Sequence, residues 1–183
     1  MLKLAKALSV GGVDYEINSD WRPCFGIMQA FEREDITTAE KLMIMVGILY
    51  VEDIQPENYD EAIDKALWFL DPSEDKRPSQ YGRLYSWERD EKFIISAADQ
   101  TIGGCRRKKY LHWWEFTAAL MECKECVFST LVHQRKLKKL NKQNKWDKEW
   151  WAENKDIAEL KTTVTLSDEE QAKYDEFNKL LGE

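Results

Sequence analysis

Tyr110-Leu-His-Trp-Trp-Glu-Phe-Thr-Ala-Ala-Leu-Met-Glu-Cys-Lys-Glu-Cys-Val-Phe-Ser-Thr-Leu131 carries the strongest periodicity in the chain. Trp113, Phe116, Leu120, Cys123, Val127 and Leu131 advance by three or four throughout, which stacks them on one face of a helix. The spacing predicts a single long helix starting near Tyr110, with this stripe against a core and His112 and Trp114 facing elsewhere. From Arg135 to Lys148 the chain turns polar: seven basic residues stand against one acid, Asp147. There the helix is expected to become an exposed arm, to which Trp146, Trp150 and Trp151 return apolar surface.

Toward the N-terminus, Leu4 to Val10 and Val13 to Ile17 flank Gly11-Gly12, a pair suited to the positive φ angles of a two-residue hairpin turn. Asn18-Ser-Asp20 supplies cap candidates for a helix that presents Trp21, Phe25, Met28 and Phe31 on one face. Thr37-Thr-Ala-Glu40 is a capping-box pattern. The helix behind it is apolar nearly all round through Leu49, which predicts a central element covered on most sides. Asn58-Tyr-Asp-Glu61 is an analogous cap for a helix burying Ala62, Ala66 and Phe69. Asp71 to Arg83, with two of the four prolines, reads as a linker or loop. Ser86 is a cap candidate for a further helix through Phe93, Ile94 and Ala97, broken by Gly103-Gly104. At the far end Ser167-Asp-Glu-Glu170 marks a short helix ending at Gly182. The fold expected is mainly α: about five helices with a small N-terminal β-hairpin and a C-terminal helical arm. Residues 1–140 would form the core domain and 141–183 the basic, aromatic arm.

Composition narrows the function. With 183 residues, 43% of them apolar, the chain can bury a core without a staple. Its longest apolar run, Leu42 to Val51, has ten residues, half the ~20 that a membrane span needs. Met1 to Leu8 lacks a cleavage site and reads as part of the fold. Cys24, Cys105, Cys123 and Cys126 are therefore expected as reduced thiols in a cytosol. The net charge of −7 is uneven: residues 1–70 hold 6 basic and 13 acidic side chains, and residues 135–183 hold 11 of each. An acidic N-terminal lobe argues against wrapping nucleic acid, which needs clustered Lys and Arg.

Three groupings invite chemistry. Cys123-Lys-Glu-Cys126 places two thiols on one side of the predicted helix, with His112 and His133 nearby in sequence. A zinc site needs four converging ligands, and His112 lies about three turns away. Buried structural cysteines are the plainer reading, zinc or redox chemistry the alternatives. His112 beside two tryptophans suits a capping or hydrogen-bonded histidine better than a general base. Arg106-Arg-Lys-Lys109 and the Arg135–Lys148 stretch could contact single-stranded nucleic acid, whereas a solvated or protein-facing surface is the simpler expectation. No phosphate-cradling glycine loop stands out, so a binding protein without cofactor is expected rather than an enzyme.

Four aromatic blocks extend this reading: Asp14-Tyr-Glu-Ile-Asn-Ser-Asp-Trp-Arg22, Tyr59 to Phe69, Tyr85 to Ile95, and Tyr110-Leu-His-Trp-Trp-Glu-Phe116. In that order and spacing the chain resembles the phage gene-product-fifteen family of siphophages infecting Gram-positive bacteria, over roughly residues 10–140. It departs from that pattern between Ala98 and Lys109. The resemblance implies a tail assembly chaperone that binds the tape-measure protein or other tail proteins in the host bacterial cytoplasm, with self-association open. A zinc-binding or nucleic-acid-binding regulatory phage protein is the alternative. Partner contact is expected from Trp146, Trp150, Trp151, Lys138, Lys139 and Lys142. Tyr110, His112, Trp113, Trp114 and Phe116 are expected to form a structural aromatic block.

Overall fold

The computed structural model describes residues 4–71 and 81–160. The helix expected over Ser167 to Gly182 and most of the Asp71–Arg83 segment lie outside them. The described residues form a mainly helical fold with a two-stranded antiparallel hairpin at its N-terminal end.

Strands β1 (Ala7–Val10) and β2 (Val13–Glu16) pair so that Val10 faces Val13. Gly11 and Gly12 sit at φ of 60° and 78°, the left-handed conformations that a primed two-residue turn demands and glycine tolerates. Leu8, Val10 and Tyr15 point into the core. Helix α1 (Trp21–Glu32) starts at Asp20, whose carboxylate accepts the Arg22 N–H at 3.0 Å. Its inner face is Trp21, Cys24, Phe25 and Ile27, while Met28 and Phe31 are half-buried. Helix α2 (Thr38–Leu49) opens with the complete Thr37–Glu40 capping box. It is not enclosed as its apolarity suggested. Met45, Val46 and Leu49 are buried, but Met43 is 51% exposed and Val51, just past its end, 53%. Sequence apolarity says how much a helix could bury; the number of neighbours decides how much it does.

A 3₁₀ turn (Pro56–Asn58) leads into α3 (Tyr59–Leu70), which buries Ala62, Ala66, Phe69 and Leu70. The expected Asn58 cap is absent: its side chain makes no capping bond. It lies against Gly11 instead, 2.7 Å from where a Cβ there would stand. A turn over 86–90 precedes α4 (Glu91–Ile102), with the Arg89 N–H donating to Ser86 Oγ at 3.1 Å. The α4 helix stops at Gly103, at φ 78°.

The long helix expected from Tyr110 is two helices. Helix α5 (Trp113–Met121) ends after nine residues, and α6 (Val127–Lys139) begins anew at Cys126. The break shifts the buried face. Trp113, Phe116 and Leu120 remain inside, Phe128 and Leu131 resume the core, and Val127, expected on the stripe, is 51% exposed. Helices α7 (Lys145–Glu153) and α8 (Lys155–Ala158) follow a reversal at Asn141, φ 53°. The core closes around Trp21, stacked on Phe116 at 4.7 Å between centroids, with Phe25, Trp87 and Trp113 set against these rings.

Candidate partner-binding surface

The α7–α8 segment is held by one buried cation. Arg135, on the inner face of α6, is 3% exposed, and its partner Asp90 is 1%. Arg135 Nη1 donates to Asp90 Oδ2 at 2.6 Å and Nη2 to Oδ1 at 3.0 Å, a bidentate pair. The other three N–H groups go to the carbonyls of Leu84 (3.1 Å), Ile157 (2.7 Å) and Ala158 (2.8 Å). All five guanidinium donors are thus satisfied. Arg135 therefore does not belong to a solvated basic arm. It ties α6, the turn before α4 and α8 at one point.

Its neighbours on α6 also turn toward the chain. Lys136 sits 4.5 Å from the Tyr81 ring centroid and Lys138 3.8 Å from that of Trp151. Lys139 Nζ donates to the Tyr81 and Arg83 carbonyls at 2.9 and 2.6 Å. Lys142 is exposed beyond the helix end. Four of the stretch's cations are thereby engaged internally and do not form an open row for phosphates.

Helix α7 has its own box: Asn144 Oδ1 accepts the Asp147 N–H at 2.9 Å, and Asp147 Oδ2 accepts the Asn144 N–H at 3.0 Å. Gln134 Nε2 adds a bond to Asp147 Oδ1 at 2.8 Å. The Gln134 amide, then the Asn144 N–H, hold the Asp147 carboxyl below the usual carboxylate range. No residue of α7 is buried. Trp150 and Trp151 are half-buried, and Trp146 stands 76% exposed. The three tryptophans therefore divide: two lie partly against the protein and one faces solvent.

The Tyr110–Phe116 block is a junction. The His112 backbone bridges Asp20, and the Trp113 N–H donates to the Ser19 carbonyl at 2.8 Å. The fully buried His112 side chain accepts the Trp114 N–H on Nδ1 at 3.1 Å. Its Nε2 lies 2.8 Å from the Ala5 carbonyl, so the ring proton sits on Nε2. Trp113 Nε1 donates to the Leu70 carbonyl at 2.9 Å and Trp114 Nε1 to that of Phe69 at 2.7 Å. Two indoles thus finish the C-terminal end of α3, where carbonyls lack intrahelical partners. Tyr110 OH meets Ser19 Oγ at 2.8 Å.

Cys123 and Cys126 are not mid-helix. Cys123 lies in the α5–α6 connection and Cys126 caps α6, both half-buried. His112 is buried at the other end of α5 and His133 is exposed. Among the described residues no three His, Cys, Asp or Glu side chains gather for a metal.

Sequence reasoning missed two grooves. One, of about 660 Å³, runs between β1 and α3 along Leu8, Glu61, Asp64 and Trp68. The other, of about 540 Å³, is lined by Met28, Phe31, Tyr85, Trp87 and charged neighbours. The sequence carries no signal for the second, because spacing sets Met28 and Phe31 on the face of Trp21 and Phe25 and only the structure leaves them half-buried. Among the described residues no helix is long and apolar enough to cross a membrane.

Neither the curated proteins nor the solved structures contain a match to the chain. The family model described as Bacteriophage Gp15 protein matches residues 3–160, hairpin through α8. With the aromatic junction, the buried Arg135 clamp and the Trp146 helix all inside that match, the chain belongs to the bacteriophage Gp15 family.

Proposed function

We propose that this phage protein is a non-catalytic tail assembly chaperone that binds the tape-measure protein in the cytoplasm of the bacterial host. The observation that carries the reading is Trp146, 76% exposed on a helix with no buried residue yet held in place through Arg135 and Gln134. A rigidly mounted aromatic is the usual energetic centre of a protein interface. A tape measure offers long apolar helical segments, and an aromatic anchor beside the exposed Lys142 and Lys145 suits an amphipathic helix bearing acidic residues. Family membership supports the setting.

Co-expression with a tape-measure fragment tests the proposal. The fragment should stay soluble and co-purify with the intact protein, and Trp146→Ala should weaken the complex. A fragment that aggregates equally with and without the protein refutes the reading.

A further inference from the structure

The break between α5 and α6 brings two thiols to the start of a helix of 13 residues. Cys126 has the extended backbone of an N-cap, φ −155° and ψ 174°. Its own N–H donates to Ser129 Oγ at 2.9 Å. Ser129 Oγ in turn donates to the Cys126 carbonyl at 2.9 Å, so the Cys126 sulfur faces the first N–H groups of α6, and the Cys123 and Cys126 thiols are close enough for each to bear on the other's ionisation. Only Lys124 and Glu125, both exposed, separate the pair. Both thiols are half-buried, so solvent reaches them, whereas Cys24 and Cys105 are fully buried.

We propose that Cys123 and Cys126 are a reversible dithiol–disulfide pair that exchanges with low-molecular-weight disulfides, Cys126 attacking and Cys123 resolving. The helix start faces Cys126 with unpaired N–H groups and the positive end of the dipole, the setting that favours a thiolate. Partial burial raises its pKa, but the Ser129 and Phe128 groups at the helix start outweigh it and the thiol ends below its ordinary value. Cys123 moves the other way, raised by burial and then by the neighbouring Cys126 charge. Burial pushes Cys24 and Cys105 up to about 12, which leaves them unreactive.

The exchange balances in two steps. The Cys126 thiolate attacks one sulfur of a disulfide RSSR, forming a mixed disulfide and releasing RS⁻. Cys123 then gives its proton to solvent and attacks the Cys126 sulfur, closing the Cys123–Cys126 bond and releasing the second RS⁻. The protein loses two electrons and RSSR gains them as two thiols. In a reducing compartment the pair rests as the dithiol, the form the structure holds.

The test uses the full chain equilibrated with mixtures of oxidised and reduced glutathione, alkylated and digested with trypsin without reduction. Trypsin cuts after Lys124, so the peptides bearing Cys123 and Cys126 separate unless a disulfide joins them. The joined peptide is expected to grow as the mixture becomes oxidising and to vanish on return to excess thiol. In Cys126→Ser, which keeps a good capping side chain, Cys123 should react with oxidised glutathione about tenfold or more slowly than Cys126 does in the intact protein. In Cys123→Ser the reaction should stop at a glutathione adduct on Cys126. Absence of the joined peptide at every ratio, or equal reactivity of the two single variants, overturns the proposal. The intact-protein measurement stands even if a variant misfolds.

Discussion

Replacing Arg135 by Met removes the cation but keeps most of the aliphatic volume. Asp90 then retains one bond among those described, from the Ser86 N–H at 2.9 Å. Leu84, Ile157 and Ala158 each lose the guanidinium donor. Breaking one side of a buried pair costs about 3–5 kcal/mol, because the remaining charge stays desolvated. The three carbonyls would add to that unless water enters. For a domain of this size the charge term alone lowers Tm by roughly 6–20 °C. Adding Asp90→Leu removes the stranded charge, so the double variant should be more stable than Arg135→Met, though below the parent because the carbonyls remain bare. Tryptophan fluorescence and circular dichroism during thermal and urea unfolding measure both. A loss under about 1 kcal/mol for Arg135→Met, or no recovery in the double variant, refutes the clamp. Limited proteolysis adds a local readout, since α8 is held by two of the five bonds and cleavage near 155–158 should rise first.

Three further outcomes follow from the same geometry. His112→Ala should cost at least about 2 kcal/mol, combining a lost cap with a cavity, and His112→Asn should recover about 1 kcal/mol by restoring a capping acceptor, read from urea midpoints. Trp146→Ala should leave stability within about 0.5 kcal/mol while weakening tape-measure binding by about 1 kcal/mol or more in calorimetry; unchanged binding removes Trp146 from the interface. The third concerns acid. The Asp147 carboxyl is depressed in the folded state, so its contribution is full above the unfolded value of about 3.9 and fades as pH falls toward its folded value. The α7 segment should loosen below about pH 4, and Asp147→Asn should remove that pH dependence in amide exchange.

Local features of the fold were legible where the signal is local. Gly11-Gly12 and the Thr37–Glu40 box act over two to four residues, and each forms as its sequence suggests. Arg135 was not legible. Among seven basic residues nothing local distinguishes it, and its burial depends on Asp90, 45 positions earlier. The split at 122–126 was hidden because Glu122, Lys124 and Glu125 fit the solvent face of an unbroken helix. Only the extended backbone of Cys126 reveals the stop. Of the candidate surface, the aromatic composition of α7 was plain, but which tryptophan faces outward depends on how Gln134 and Arg135 dock the segment. Asn58 does not cap α3 because it closes the 3₁₀ turn Pro56–Asn58 at φ −106° and ψ 5°, away from the extended backbone that an N-cap side chain needs.

The end of α3 is completed by indoles that lie 43 and 45 positions further along the chain. Ribosomal synthesis runs in one direction, so α3 emerges with those carbonyls facing water and stays open-ended until Trp113 and Trp114 arrive. The first seventy residues hold the hairpin and three helices, but the latch on the end of the third comes from α5. A nascent chain halted before position 113 is therefore a half-closed molecule, and its maturation is tied to translation of α5.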